Sequence, residues 1–194
     1  MDKTIWKGGA LLAPTPVCLV SCAHGGVSNM LTVAWAGTVC TKPPVTYISV
    51  RPTRFSHALI KDEGSFVINL TSKPLVRAAD WCGMKSGRDF DKFAELGLET
   101  EPSPLLGLPM LCASPVSIEC RVREITPLGS HDMFLADVVG VCVASDLIDA
   151  QGALRLDKAN LCAFAHGEYF NLGQKLGGFG FSVKKKKAAR RKQR

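Results

Sequence analysis

Four side chains that can bind an anion lie close together in residues 49–57. Arg51 and Arg54 are charged donors, and Thr53 and Ser56 add hydroxyl groups beside them. The residues before Arg51 predict a strand and those after Thr53 a short helix, so these side chains would surround a helix amino terminus. Unpaired N–H groups and the helix dipole favour phosphate-like anions there. Thr53 could instead cap the helix, and one arginine could simply face solvent.

The eight cysteines form no pattern that is typical of a metal site or a redox pair. No Cys-x-x-Cys occurs, and no histidine stands at zinc-finger spacing. Several, such as Cys18 and Cys142, lie in apolar stretches where a reduced thiol packs as a small hydrophobe. We therefore expect buried thiols and no metal. Because reduced thiols are typical of the cytoplasm and no apolar secretory segment follows Met1, we also expect a cytoplasmic location.

The excess positive charge is concentrated at the carboxyl end. The net charge is +7, but residues 184–194 hold eight of the 24 lysines and arginines and no acidic residue. The composition predicts one domain over 1–183 and a disordered basic tail over 184–194. The tail could instead attach to nucleic acid or to an anionic membrane surface, although nucleic acid is not an expected partner of the domain. No apolar run approaches the roughly 20 residues of a membrane span.

Hydrophobic patterning predicts a mainly β protein with helices inserted between two groups of strands. The turn His24-Gly25-Gly26 would join the first two strands, because glycine accepts positive φ angles. Alternation from Val116 to Ile125 predicts a strand whose wet face carries Ser117 and Glu119. Six strands suggest a Greek-key barrel, closed so that its edges are buried. Strands are predicted at 16–22, 30–37, 45–50, 65–70, 116–125 and 133–144, and helices at 53–61, from 74 onward and at 90–96.

Several short motifs spread over residues 8–178 together resemble the FMN-binding split-barrel family of flavin reductases and flavoredoxins. Each motif is weak alone, and the signal is their order and spacing. The resemblance implies a split β-barrel of Greek-key type, FMN as cofactor, and a homodimer with two flavin sites at the subunit interface. The motifs are Pro16-Val-Cys-Leu-Val-Ser21, Asn29-Met-Leu-Thr32-Val-Ala-Trp35, Pro43-Pro44, Asp91-Lys92-Phe93 with Gly97-Leu98, Ile118-Glu119-Cys120, Gly129-Ser130-His131-Asp132 and Gly167-Glu-Tyr169-Phe-Asn-Leu-Gly173.

The resemblance also assigns residues to the flavin. The strand through residues 32–35 would run along it and offer backbone groups, and the junction at 49–57 would contact its phosphate. Asn29 could equally be a turn asparagine, Thr32 an ordinary strand threonine and Asn69 an ordinary strand-end asparagine. The expected cofactor-binding residues are Asn29, Thr32, Val33, Ala34, Trp35, Ser49, Arg51, Thr53, Arg54, Ser56 and Asn69.

His131 is the expected catalytic residue. A histidine in this motif could stand beside the flavin or the nicotinamide and help to place a proton. It could instead be a turn histidine held by Asp132. Related chains often carry a tyrosine where this chain reads Phe164-Ala165-His166, which leaves the donor or substrate pocket open.

The resemblance implies an oxidoreductase in which NADH or NADPH reduces bound FMN, and electrons pass to a flavin or another acceptor. The cofactor carries that chemistry, so the protein needs only to bind, orient and tune it. The alternative function is an electron carrier that holds FMN and lacks its own nicotinamide site. A third reading is a structural or regulatory FMN binder whose tail attaches it to nucleic acid.

Overall fold

The computed structural model describes residues 1–183, and the predicted tail at 184–194 lies outside the described residues. Strands dominate this part of the chain, and helices are inserted between them. The strands are β1 (Thr15–Pro16), β2 (Cys18–His24), β3 (Val27–Val33), β4 (Ala36–Thr41), β5 (Pro44–Val50), β6 (Ser65–Leu70), β7 (Thr100–Pro102), β8 (Pro109–Leu111), β9 (Val116–Pro127), β10 (Asp132–Val143), β11 (Cys162–Ala165) and β12 (Glu168–Asn171). The α-helices are α1 (Phe55–Glu63), α2 (Val76–Met84) and α3 (Lys92–Leu96), and short 3₁₀ turns occur at Lys73–Leu75, Ser145–Leu147, Leu156–Lys158 and Phe181–Val183.

Seven of these strands form one antiparallel sheet in the order β3-β2-β6-β9-β10-β5-β4. The edge strands β3 and β4 are consecutive in the chain and are separated only by Ala34 and Trp35. The sheet therefore curls until its two edges meet at one short connection. β3 also approaches β5, where the Ser49 N–H donates to the Trp35 carbonyl at 2.8 Å. The result is a split barrel, as predicted.

The predicted closure of the barrel is wrong. Within residues 1–183, β3 and β4 are the free edges of the sheet and do not pair with each other. The strand predicted at 30–37 breaks at Ala34–Trp35, because the chain changes there from one edge of the sheet to the other. This break is the split that opens a cleft in the barrel wall.

Two apolar clusters fix the barrel and its covering helix. Successive residues of β2 point to opposite faces: Val20 belongs to the barrel interior with Ile60, Phe66 and Phe134. Leu19 faces the other way, into a cluster that includes residues of α2. β2 is therefore buried on both faces, which explains its unbroken apolar sequence.

The helix termini differ in how they are capped. α1 begins after Arg54 without a side-chain cap from the described residues, so the predicted cap role of Thr53 is wrong. α3 is capped by Asp91, whose carboxylate accepts from the Phe93 and Ala94 N–H groups at 3.0 and 3.2 Å. Gly97, at φ +58°, ends α3. Asp91 thereby fixes the start of the helix that carries Lys92.

The predicted hairpin of β9 and β10 is confirmed, but its predicted wet face is wrong over the first half of β9. Ser117 and Glu119 are both buried. The Glu119 carboxylate accepts from the Leu105 and Leu106 N–H groups at 3.0 and 2.8 Å. The proline-containing loop before β8 covers this face of β9, which sequence alternation alone does not reveal.

Candidate functional site

A cleft lies beside the break at Ala34–Trp35, between β3 and β5. It consists of two joined cavities. The larger cavity, the anion pocket, has a volume of about 420 Å³. The smaller cavity, the aromatic pocket, has a volume of about 180 Å³. The two share Leu31, Thr32, Arg51 and Arg54 in their walls. The anion pocket also includes Asn29, Thr53, Phe55, Ser56, Cys82, Gly83, Lys85, Ser86, Gly87, Arg88 and Lys92, and the aromatic pocket includes Val33, Ala34, Trp35, Ser49, Val50, His131 and Phe164.

Three buried polar side chains line the anion pocket: Asn29, Ser56 and Lys92. Asn29 donates from Nδ2 to the Ser56 hydroxyl oxygen at 2.7 Å. Lys92 is only 3% exposed, and its Nζ donates to the Cys82 carbonyl at 2.8 Å. Within residues 1–183 this ammonium group forms no ion pair with a carboxylate.

Burial lowers the pKa of Lys92 below its usual 10.5, and Arg54 lowers it further. A buried cation without a neutralising acid is costly unless a ligand supplies the negative charge. Lys92 therefore makes this pocket chemically suited to an anion.

Exposed cations surround the opening of the anion pocket. Arg54 donates from Nη1 to the Gly83 carbonyl at 3.0 Å, and Arg88 donates from Nη1 to the Thr53 carbonyl at 3.2 Å. The segment before α1 and the segment after α2 thus hold each other across the pocket. With Arg51, Lys85 and Lys92, five cations line the pocket, and no acidic residue of the described chain does so. Such a concentration of guanidinium and ammonium groups suits a phosphate.

Gly87 lets the loop after α2 approach β3 closely. A Cβ atom at this position would lie 2.3 Å from Oδ1 of Asn29. Any other residue would force the loop away from β3 or displace the Asn29 side chain. The pocket therefore depends on a glycine between Ser86 and Arg88.

The aromatic pocket is lined by the backbone at the break between β3 and β4. Ala34 and Trp35 lie outside both strands, and Trp35 and Phe164 supply aromatic surface. Thr32 donates its hydroxyl proton to the Ala79 carbonyl, which ties this wall to α2. The pocket thus combines irregular backbone, which retains polar groups for a ligand, with flat apolar side chains.

His131 lines the same pocket from the turn between β9 and β10. Its Nδ1 lies 2.9 Å from the Ser130 hydroxyl oxygen. Partial burial lowers the pKa of His131, and the nearby Arg51 and Arg54 lower it further. The imidazole is therefore neutral near pH 7 and has one nitrogen able to accept a proton. The alternative prediction, that Asp132 holds His131, is wrong, because Asp132 contacts His57 instead.

Ten of the eleven predicted cofactor-binding residues line this cleft, as does His131. The exception is Asn69, which lies in the protein interior. Its amide donates to the Leu19 carbonyl and the Ser21 hydroxyl, both at 2.9 Å. Its carbonyl accepts from the Leu111 N–H at 3.0 Å and from the Ser117 hydroxyl at 2.8 Å. This arrangement agrees with the alternative that Asn69 is an ordinary strand-end asparagine with a structural role.

Sequence reasoning missed the segment after α2 and the first residue of α3. Two signals pointed to them. Lys85-Ser86-Gly87-Arg88 combines two cations with a glycine, and Asp91-Lys92-Phe93 was among the motifs of the resemblance but received no role. Phe164 was also missed as a wall of the aromatic pocket. Because these residues are far from 49–57 in sequence, their shared location emerges only from the fold.

Residues 1–183 contain neither a metal-binding cluster nor a membrane-spanning helix. No group of three or more His, Cys, Asp or Glu side chains there could hold a metal ion. Nor does that part of the chain contain a helix long and apolar enough to cross a membrane.

An antiparallel barrel, split beside a cationic cleft, defines the structural class of this protein. A model of the flavin reductase like domain matches residues 11–173, so the chain belongs to that family. The flavoredoxin of Desulfovibrio vulgaris (Miyazaki F) superposes with a TM-score of 0.87 at 29% identity, over 95% of this chain and 100% of that one.

Two sequence relatives match a smaller share of this chain than the flavoredoxin does. An NADPH-flavin oxidoreductase of Streptomyces viridifaciens is 27% identical over 131 residues, which is 65% of each chain. A protein of Aeropyrum pernix is 27% identical over 137 residues, 70% of this chain and 52% of that relative. The chain thus spans about half the length of the Aeropyrum relative.

Proposed function

We propose that this protein binds FMN in the cleft, with the phosphate in the anion pocket and the ring system in the aromatic pocket. The observation that carries this proposal is Lys92, a buried ammonium group without a carboxylate partner in the described chain, beside a cavity lined by cations. The two joined cavities fit a molecule with an anionic end and a flat end. Membership of the flavin reductase-like family supports a flavin as that molecule.

Each part of the cleft then has a defined task. Lys92, Ser56 and Arg54 would bind the phosphate by charge-assisted hydrogen bonds. Backbone groups at Ala34 and Trp35 would bind the polar edge of the ring. The hydroxyl proton of Thr32 is already donated to the Ala79 carbonyl, so its oxygen can act toward FMN only as an acceptor.

The proposed activity is that of an NAD(P)H-dependent oxidoreductase. Bound FMN would supply the redox chemistry, by taking a hydride from NADH or NADPH and passing electrons to a flavin or another acceptor. His131, neutral and at the pocket wall, would accept or return a proton at its imidazole nitrogen. Trp35 and Phe164 would limit water at the ring and orient the second substrate.

A further cavity supports an enzyme over a carrier that only holds FMN. It has a volume of about 360 Å³ and adjoins the aromatic pocket through Trp35 and Phe164. Leu11, Leu12 and His166 also line it. A second molecule could therefore occupy the space next to the proposed ring site.

Flavin binding is tested by titrating the apoprotein with FMN and with riboflavin. We expect stoichiometric FMN binding that is much tighter than riboflavin binding, because only FMN carries the phosphate. Equal affinities would refute the anion-pocket assignment. NADH and NADPH are then added in turn under anaerobic conditions, and bleaching of the flavin spectrum would identify the electron donor. A spectrum unchanged by both would favour the carrier.

We further propose that the protein is a cytoplasmic homodimer. Large apolar side chains are exposed near both ends of the described chain, among them Ile5, Trp6, Leu12, Phe179 and Phe181. A second copy could bury them, and symmetric dimers are the commonest oligomers. The cytoplasmic location is supported by eight cysteines that form no disulfide within residues 1–183. Sedimentation at micromolar concentration tests the dimer, and the mass of a single 20.9 kDa chain would contradict it.

A further inference from the structure

The turn that carries His131 joins β9 to β10 and contains hydrogen bonds of its own. The Leu128 N–H donates to the His131 carbonyl at 2.9 Å, and Ser130 contacts the His131 ring. Gly129, at φ +97°, allows this tight conformation. These contacts determine the shape of the turn, and strand pairing of Asp132 with Val50 and with Pro127 anchors its base to β5 and β9.

The side chain of the next residue, Asp132, adds a contact between the turn and α1. Its Oδ2 lies 2.8 Å from Nε2 of His57, and the two side chains are only 17% and 10% exposed. Asp132 has no other side-chain hydrogen bond within the described residues. The His57 ring packs edge-on against Phe134, with 5.1 Å between the ring centroids. His57 lies in the first turn of α1, next to Ser56 of the anion pocket.

We propose that His57 and Asp132 are positioning residues that hold His131 at the wall of the aromatic pocket. Their contact joins α1 to the start of β10, directly beside His131. The catalytic consequence of this contact rests on the proposed function. The effect of the contact on the position of His131 does not depend on the proposed function, and it can be measured without turnover.

The contact acts on His131 rather than on the anion pocket. Ser56 is held independently by Asn29 at 2.7 Å, and Arg54 is held by the Gly83 carbonyl at 3.0 Å. Losing the contact would therefore leave the turn held only by its strand pairs and its internal bonds, and would leave the side chains proposed to bind phosphate in place. Since a misplacement of about 1 Å can cost a catalytic group roughly 100-fold in rate, turnover should respond far more than FMN affinity.

The charged groups around His131 provide a readout of its position. Arg51 and Arg54 are the cations that lower its pKa, after partial burial, while the adjacent acid Asp132 is engaged by His57. Without this contact His131 would be able to move away from both arginines and toward solvent. Its pKa should then rise toward the usual 6.5 of histidine.

The test compares Asp132→Asn with Asp137→Asn in the full chain. Asp137 lies on the same strand and pairs with Arg123, but both partners are about 40% exposed. We expect the His131 pKa, followed by imidazole NMR, to rise in Asp132→Asn and to stay unchanged in Asp137→Asn. We also expect kcat for NAD(P)H oxidation to fall by about tenfold or more in Asp132→Asn, while the FMN Kd changes less than about threefold.

A second pair of variants keeps the test decisive if Asp132→Asn does not fold. His57→Gln places an amide donor near the position of Nε2, whereas His57→Leu removes the donor. The glutamine variant should resemble the wild type, and the leucine variant should raise the His131 pKa.

The same His131 pKa in Asp132→Asn, His57→Leu and the wild type would overturn the proposal. So would a large loss of FMN affinity with unchanged kcat, because the contact would then serve the phosphate site. Absence of any NAD(P)H oxidation would count against the proposed function, and the NMR comparison would still decide this inference.

Discussion

Asn29 and Asn69 lie on the two strands that flank β2, and both are buried. Asn69 uses its amide and its carbonyl fully, in four hydrogen bonds that join β6 to β2, β8 and β9. Asn29 makes one side-chain hydrogen bond, to Ser56, and borders the anion pocket. Two buried asparagines of one sheet thus differ in how much bonding capacity the protein itself uses.

Glu119 and Lys92 also differ in how much of their hydrogen-bonding capacity the protein itself uses. The Glu119 carboxylate accepts two backbone N–H groups and stabilises a loop. Lys92 donates to one carbonyl and has two further protons beside a cavity. Buried polar groups in proteins are generally paired. A buried group whose capacity is used is therefore structural, whereas one with capacity left at a cavity indicates a ligand.

The largest effect is expected for Asn69→Ala, which should leave several buried partners unpaired. We expect the free energy of unfolding to fall by about 3 kcal/mol, while the folded fraction keeps its FMN affinity. Urea unfolding and FMN titration measure the two quantities. Asn171→Ala, at an exposed asparagine, is the control and should change stability by less than about 0.5 kcal/mol. Selective loss of FMN affinity in Asn69→Ala would break the distinction between the two asparagines.

Lys92→Met should do the reverse of Asn69→Ala: it should weaken FMN binding without lowering the stability of the apoprotein. FMN affinity should fall by about 2.5 kcal/mol, or roughly seventyfold, because a buried charge-assisted contact to the phosphate is lost. The free energy of unfolding of the apoprotein should not fall, because an uncompensated buried charge has been removed. Fluorescence titration and urea unfolding test both statements, with the exposed Lys158→Met as control. A destabilised apoprotein with normal FMN affinity would make Lys92 a structural residue.

The pH dependence of the apoprotein gives an independent test of Lys92. Its pKa is lowered in the folded state, so the unfolded chain binds more protons between that value and 10.5. Stability contributed by Lys92 should therefore be lowest at neutral pH and rise as pH increases through this window. The difference in unfolding free energy between wild type and Lys92→Met should change in the same direction. A pH-independent difference would show that Lys92 is not desolvated.

The exposed cations of the anion pocket should matter somewhat less than Lys92. Replacing Arg51 and Arg54 together by alanine should weaken FMN by about 2 kcal/mol, or roughly thirtyfold, and leave riboflavin binding unchanged. Added salt should weaken FMN binding to the wild type more than to the double variant. Arg121→Ala, at an exposed position outside the pocket, serves as the control. An unchanged FMN Kd in the double variant would remove these arginines from the site.

The smallest effect is expected for deletion of residues 184–194. The deletion removes eight cations, yet the predicted FMN site lies entirely before it. FMN affinity and NAD(P)H oxidation should stay within about twofold, because the deletion removes none of the residues proposed to bind FMN and long-range charge effects are screened by salt. A tenfold loss of FMN or NADPH affinity, reproduced in the full chain by added salt, would contradict this expectation.

Much of the fold was predictable because its signals are local. The strand at 65–70, the hairpin of β9 and β10 and the end of α3 at Gly97 agree with patterns inside short windows. The residues of 49–57 that were predicted to bind an anion do line one cavity, since they are contiguous in the chain. The wet face of β9 was mispredicted because a distant loop binds Glu119 and because Ser117 bonds to Asn69 in the interior.

The sequence by itself determined six of the strands approximately, the cation-rich segment before α1 and the family resemblance. Only the tertiary structure decided that Lys92 and Ser56 line one pocket, that Asn69 belongs to the interior and that Asp132 contacts His57. The physical reason is that strand periodicity and turns depend on neighbours in sequence. Burial, charge compensation and unused hydrogen-bonding capacity depend instead on groups that only the folded chain brings together.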